Sequence, residues 1–230
     1  MARITRKELK SDKFAQEVGL TVTFFEEHKE KIARYGMIAA VVGLLVAGYV
    51  FYQRHEHGLR EQALTKAIQV QEAPVGASAS GGPSFPTQEA KDQEALKVFT
   101  ALRGTGGEEG AIAQYYLGAI QADQGKLAEA EKSFQEVAQK GDEKYASLSK
   151  LSLAQIEFAD GRSDLGEKTL RELMANPTIF VSKEQATITL ARYLMVKKPA
   201  EARKLLDPLR KVPGPVGQAA IQAYGEIAPQ

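Results

Sequence analysis

The chain contains no cysteine. That removes disulfides, thiolate metal sites, iron–sulfur clusters and cysteine nucleophiles together, and it leaves the redox compartment open. Only three histidines are present in 230 residues, too few for much metal binding or histidine-based catalysis. No charge of one sign prevails: 30 Lys and Arg face 29 Asp and Glu, for a formal net charge of +1. Such a balance exerts no global pull on nucleic acid. Apolar residues are not scarce, at 43%, so the chain is too apolar for full disorder. Its length allows one or two domains.

What is present is unevenly spread. Tyr35 to Tyr52 reads YGMIAAVVGLLVAGYVFY, without one charge. As a helix this run spans about 27 Å, against about 30 Å of bilayer hydrocarbon. Arg34 and Arg54 bracket it and can snorkel to the interfaces. Tyr35, Tyr49, Phe51 and Tyr52 gather at its ends, as in an aromatic belt. The run follows a long charged segment, and no small-x-small site follows it, so a retained anchor is expected rather than a cleaved leader. Residues 1–34 carry eight Lys and Arg against six acids, whereas Arg54, Arg60 and Lys66 are the only cations in the first twenty residues beyond the span. The positive-inside rule then places the N-terminus in the cytoplasm and residues 53–230 across the membrane. Within the span, Ala39, Gly43 and Ala47 recur at four-residue intervals. This small-residue face would let helix backbones approach closely in lipid. In the tail, Thr5-Arg6-Lys7-Glu8 has capping-box spacing. Phe14, Val18, Val22 and Phe25 fall near one face of a short interfacial or partner-docking helix, interrupted by Gly19.

Beyond the span, residues 53–72 are helical in pattern, with Leu59, Ala63, Leu64, Ala67 and Ile68 on one side. Residues 73–86, APVGASASGGPSFP, hold three Pro, three Gly and three Ser, the composition of a flexible linker or insertion. From 87 to 230 helical periodicity returns and repeats. Leu117-Gly118, Gly125, Ala130 and Phe134 find counterparts 36 residues later in Leu153-Ala154, Gly161, Gly166 and Leu170. Ala202 and Leu206 follow after the same interval, with Leu190-Ala191 one residue late and Pro199 near the turn. Internal repetition of this kind takes precedence over other patterns. Two antiparallel helices pack closely where one offers Gly or Ala to the other's bulk. Each hairpin leaves an apolar side open for the next to cover.

These residues resemble the tetratricopeptide repeat, whose period is nearer 34. Ala95 and Phe99 match the second helix of an earlier unit, with residues 54–72 as its first helix, and Val216 to Ile227 would form a capping helix. Gln114 stands where that repeat usually has Trp. The expected fold class is therefore all-α: one N-terminal transmembrane helix, residues 35–52, followed by a solenoid of helical hairpins. A charged tail, one membrane helix and a small repeat domain in that order resemble the ancillary SecYEG translocon subunit family (YfgM-like). The resemblance implies a single-pass protein of the bacterial inner membrane with a periplasmic repeat domain. It also implies a place beside the translocon, with translocon subunits, periplasmic chaperones or exported chains as partners. The same domain class resembles proteins of envelope assembly and cell-division coordination, which gather fixed partners.

Little in the chain suggests covalent chemistry. His55 and His57 lie about 200° apart on a helix and cannot chelate one metal. The segment 104–110, GTGGEEG, lacks the Lys-Ser/Thr end of a P-loop and carries two acids that repel phosphate; it reads as a helix–helix loop. Basic and acidic residues are interspersed, leaving no nucleic-acid footprint. The chain is expected to be no enzyme, to use no metal or other cofactor, and to bind proteins and the lipid bilayer rather than nucleic acid or a small-molecule substrate. In such repeats the first helix of each hairpin lines a concave groove. Counting about each Leu-Gly equivalent selects Tyr115, Ala119 and Ala122, then Leu151, Gln155 and Phe158, then Ile188, Arg192 and Met195. Mixed aromatic, aliphatic and polar side chains suit an adaptable peptide groove.

Overall fold

The computed structural model describes residues 6–76 and 83–227, with the side chains of residues 29–31 and 33 onward. The capping box that begins at Thr5 and the tail's Phe14 to Phe25 side chains lie outside that description, as do residues 77–82 of the linker. The described chain is helical throughout: nine α-helices, one 3₁₀ turn and a single isolated β-bridge.

The first helix, α1, runs unbroken from Arg6 to Glu72. The tail, the apolar run and the stretch beyond it thus form one helix, and Gly19 does not interrupt it. The chain divides at Gly58 into two compact units. In the first, the apolar run has no buried residue, and Leu44, Leu45 and Phe51 are 68% to 75% exposed. It is the one helix among the described residues long and apolar enough to cross a membrane.

The second unit, from Leu59 onward, is a stack of hairpins. The last turns of α1 pair with α2 (Gln88–Arg103), and α3 (Gly107–Asp123) with α4 (Leu127–Lys140). Next come α5 (Glu143–Ala159) with α6 (Ser163–Ala175), then α7 (Lys183–Lys197) with α8 (Pro199–Leu206). A 3₁₀ turn, Leu209–Lys211, leads to α9 (Pro215–Gly225), which packs on α7 and α8.

The sequence explains the joints. Thr87, Asp142 and Ser182 cap α2, α5 and α7 by accepting the backbone N–H three residues on, satisfying donors the helix leaves orphaned. Gly125 and Gly161 take positive φ in the two inner hairpin turns, where other residues are strained. The last hairpin has no such glycine, and Pro199 at the first position of α8 sets the break.

Packing follows the small–large register. Ala95, Ala130, Gly166 and Ala202 are all buried, as are Phe99, Phe134, Leu170 and Leu206 four positions on. A Cβ on Gly118 would lie 2.9 Å from Phe134 Cε1, and one on Gly166 2.6 Å from Phe158 Cδ2. The helices of a hairpin touch there without room for a methyl. The split first hairpin is also real: Leu64, Ala67 and Val70 of α1 pack with Ala95, Phe99 and Leu102 of α2. The long linker leaves and rejoins at one place, because Gly76 N–H donates to Phe85 O at 2.8 Å and Phe85 N–H to Pro74 O at 3.1 Å.

Polar contacts repeat with the same period. Ser133 Oγ donates to Gln121 Oε1 at 2.8 Å within one hairpin, and 36 residues later Thr169 Oγ1 donates to Glu157 Oε2 at 3.3 Å. Arg162 grips Glu131 of the preceding hairpin through two bonds of 2.8 and 2.9 Å, and Lys198 reaches Glu167 at 2.9 Å. These polar ties were invisible in an apolar repeat pattern.

Candidate functional site: the inter-repeat groove

The first helices of successive hairpins, α3 and α5, touch each other, with α4 packed against both. Where the three meet, Ala119, Ala122 and Gln155 line one open cavity of about 320 Å³. Asp123, Leu127 and Ser152 complete its rim, and Phe134 and Ile156 lie beneath. Three of the residues selected from the repeat register therefore share one depression. Tyr115 stands beside Ala119 and Ala122 in the same apolar cluster, half-buried.

The other five separate. Leu151 and Ile188 belong to the main core and are only 7% and 9% exposed. Both were expected in the groove and instead face the interior of the hairpin stack, packed in the core with Leu170, Leu190 and Ala191. Phe158 and Met195 are half-buried against the same core. Phe158 lies flat on Tyr193 of the next hairpin, ring centroids 4.0 Å apart and planes within 3°. Arg192 is exposed.

A run of aromatic rings links the hairpins. Phe99 stacks on Tyr116 at 4.9 Å, and Tyr115 meets Tyr116, Phe134 and Tyr145 edge-on or tilted at 5.5 to 5.7 Å. Tyr145 in turn meets Phe180 at 5.4 Å, edge to face. Tyr145 and Tyr193 were missed from sequence. A Tyr three residues after the Asp142 cap was the available signal for the first, since it must sit in the opening turn of α5. Burial raises the pKa of all three phenols, Tyr115, Tyr145 and Tyr193, and that of Tyr145 reaches about 12 with the neighbouring Tyr116 adding to it. They remain neutral hydrogen-bonding groups on an apolar wall.

Charge is graded along the hairpins. Residues 107–143 carry eight acids and three cations, whereas 183–211 carry eight cations and three acids. Among the described residues no group of three or more His, Asp or Glu converges as a metal site would. Glu109, part of the glycine-rich segment, is buried at the start of α3. Its Oε2 lies 3.9 Å from Nε of Arg60, whose Nη1 donates to Thr105 O at 3.3 Å. That segment therefore joins the first hairpin to the second, and Gly107 opens α3 rather than lying in a loop.

The family model described as a tetratricopeptide repeat-like domain matches residues 23–207. The matched stretch takes in the apolar run as well as the hairpins up to the end of α8. No match is found among curated proteins or solved structures.

Proposed function

Because the chain belongs to the tetratricopeptide repeat-like domain family, we propose that it is a membrane-anchored protein-interaction module whose groove receives extended polypeptide. The observation that carries this reading is the depression formed by Ala119, Ala122 and Gln155 beside Tyr115. Its walls are apolar and its rim offers one amide, one hydroxyl and one carboxylate, a mixture that tolerates many sequences rather than one. The exposed apolar run of α1 supplies the anchor, with Arg34 and Arg54 at its ends. Anchoring raises the effective concentration of a weakly binding groove beside its partners. With the N-terminal tail in the cytoplasm, the hairpins face the periplasm. An accessory position at the Sec translocon, passing exported chains to periplasmic chaperones, fits that arrangement. The small face of Ala39, Gly43 and Ala47 is open, and a Cβ on Gly43 would meet nothing within 4 Å, so it is free for a neighbouring membrane helix.

The test is photo-crosslinking in intact bacterial cells from an unnatural residue at Gln155, which is exposed in the groove. Adducts with translocon subunits or exported chains are the expected result. Adducts confined to a fixed set of envelope-assembly or division proteins would replace this reading with a scaffold.

A further inference from the structure

The depression between α3, α4 and α5 is apolar in its depth and charged at one end. Buried Phe134 and Ile156 form its floor, and Ala119, Ala122 and Ala159 edge it with side chains too short to fill it. The open space of about 320 Å³ admits one large aliphatic or aromatic side chain. Of the polar groups on the rim, Ser152 is engaged by the Tyr115 hydroxyl. Gln155 is exposed, and its amide has no partner among the described residues. A side-chain amide offers both donor and acceptor, which matches the C=O and N–H of an extended backbone.

The charge at the rim is of one sign. Among the described lining residues Asp123 alone is formally charged. It is exposed, and it makes no ion pair or hydrogen bond to any described side chain. Asp123 is the last residue of α3 and Ala159 the last of α5, so two helix C-termini reach this cavity. The partial negative charge of their terminal carbonyls adds to the carboxylate. The cations next in sequence are directed elsewhere. Lys126 Nζ donates to Gln124 Oε1 at 2.9 Å, and Arg162 is held by Glu131 at 2.8 Å and by Asp160 at 3.0 Å. An apolar hollow beside an unpaired carboxylate calls for an apolar side chain beside a cation. In an extended chain, side chains two residues apart share a face and lie about 7 Å apart.

We propose that the groove selects polypeptide segments in which a large apolar residue lies two positions from a Lys or Arg. The apolar side chain enters the hollow, the Gln155 amide pairs with the segment's backbone, and the cation meets Asp123 at the helix ends. This rests on the reading that the groove receives extended polypeptide, and it adds a charge preference to a site otherwise tolerant of sequence.

The test uses three heptapeptides that carry a neutral fluorophore and differ at one position. Two residues after a single leucine they hold Lys, Gln or Glu. Each is titrated with the full-length protein in detergent and read by fluorescence anisotropy. The Lys peptide is expected to bind about three- to fivefold more tightly than the Gln peptide, and the Glu peptide more weakly than either. The preference is expected to shrink between about 50 mM and about 500 mM salt. Asp123→Asn is expected to bring the Lys peptide to the affinity of the Gln peptide, and Asp123→Lys to reverse the order. Asp123 is exposed, so neither variant is expected to lower the melting temperature. Ala159→Phe, which fills the hollow from its exposed edge, is expected to weaken all three peptides alike. Equal binding of the three peptides that Ala159→Phe still weakens would overturn the charge preference and leave the groove reading standing. A Lys preference unchanged in both Asp123 variants would overturn it too, by placing the cation elsewhere. Binding of none of the three would sink both the preference and the groove reading.

Discussion

At the residue scale, stability turns on which side of a helix a small residue faces. Ala130 is fully buried against α3, whereas Ala128, two positions earlier, is exposed. Ala130→Leu is expected to destabilise by about 1–3 kcal/mol through overpacking, and Ala128→Leu to leave the thermal midpoint nearly unchanged. Equal midpoints in calorimetry would contradict the hairpin packing. Charged residues add a pH dependence of opposing signs. Hydrogen bonds from Lys198 and then Arg171 lower the pKa of Glu167, while burial raises that of Glu157 against the lowering effect of Thr169. The stabilisation from Glu167 is present above its ordinary value of 4.5 and is lost as pH falls through the lower folded value. Glu157 behaves inversely, favouring the fold most when protonated and less as pH rises past 4.5 toward its higher folded value. Glu167→Gln is therefore expected to flatten the loss of melting temperature below about pH 4.5, and Glu157→Gln to steepen the net acid loss, as judged by melts from pH 3 to pH 7. Parallel curves for parent and Glu167→Gln would show the Lys198 and Arg171 contacts to be too solvated to matter.

At the element scale, α9 closes the stack. Its Ala220 and Ala223, with Ile227 just beyond, are buried in the core shared with α7 and α8. Gly217 is required where it starts, since a Cβ there would overlap Val212 O, and Arg210 sits 3.9 Å over the Tyr224 ring. Terminal repeats need such a cover because their apolar side has no following neighbour. A chain truncated after Pro213 is expected to melt lower and to self-associate in sedimentation analysis; an unchanged monomer would deny α9 that role. The helices themselves were readable in advance because Leu117-Gly118, Ala130 and Phe134 and their later equivalents state both period and face. The groove was readable only in part. A period identifies which helix faces inward but not its rotation to within one residue, so of two groove candidates on α5 Gln155 is exposed while Leu151 is core. The Arg162–Glu131 tie needed coordinates, since it joins residues of different hairpins whose separation in sequence carries no mark.

At the scale of the whole molecule, the compact unit that holds the hairpins begins before the linker. Residues 59–72 belong to the same compact unit as the hairpins, and the pinned ends of the linker at Gly76 and Phe85 return α2 alongside α1. The last turns of α1, from Leu59, are thus the first helix of the hairpin stack, so a cut at residue 86 opens its core. A fragment beginning at Thr87 would expose Phe99, Ala95 and Leu102 where Leu64, Ala67 and Val70 had covered them. Losing several buried aliphatic contacts costs a few kcal/mol at about 25 cal/mol per Å². The fragment 59–230 is therefore expected to melt cooperatively well above the fragment 87–230, with greater amide protection in α2 and α3 by hydrogen exchange. Equal melting and equal protection in the two fragments would show that residues 59–72 add nothing to the hairpins; a difference confined to α2 and the start of α3 is the signature of a stretch that serves the hairpin stack as its first structural layer.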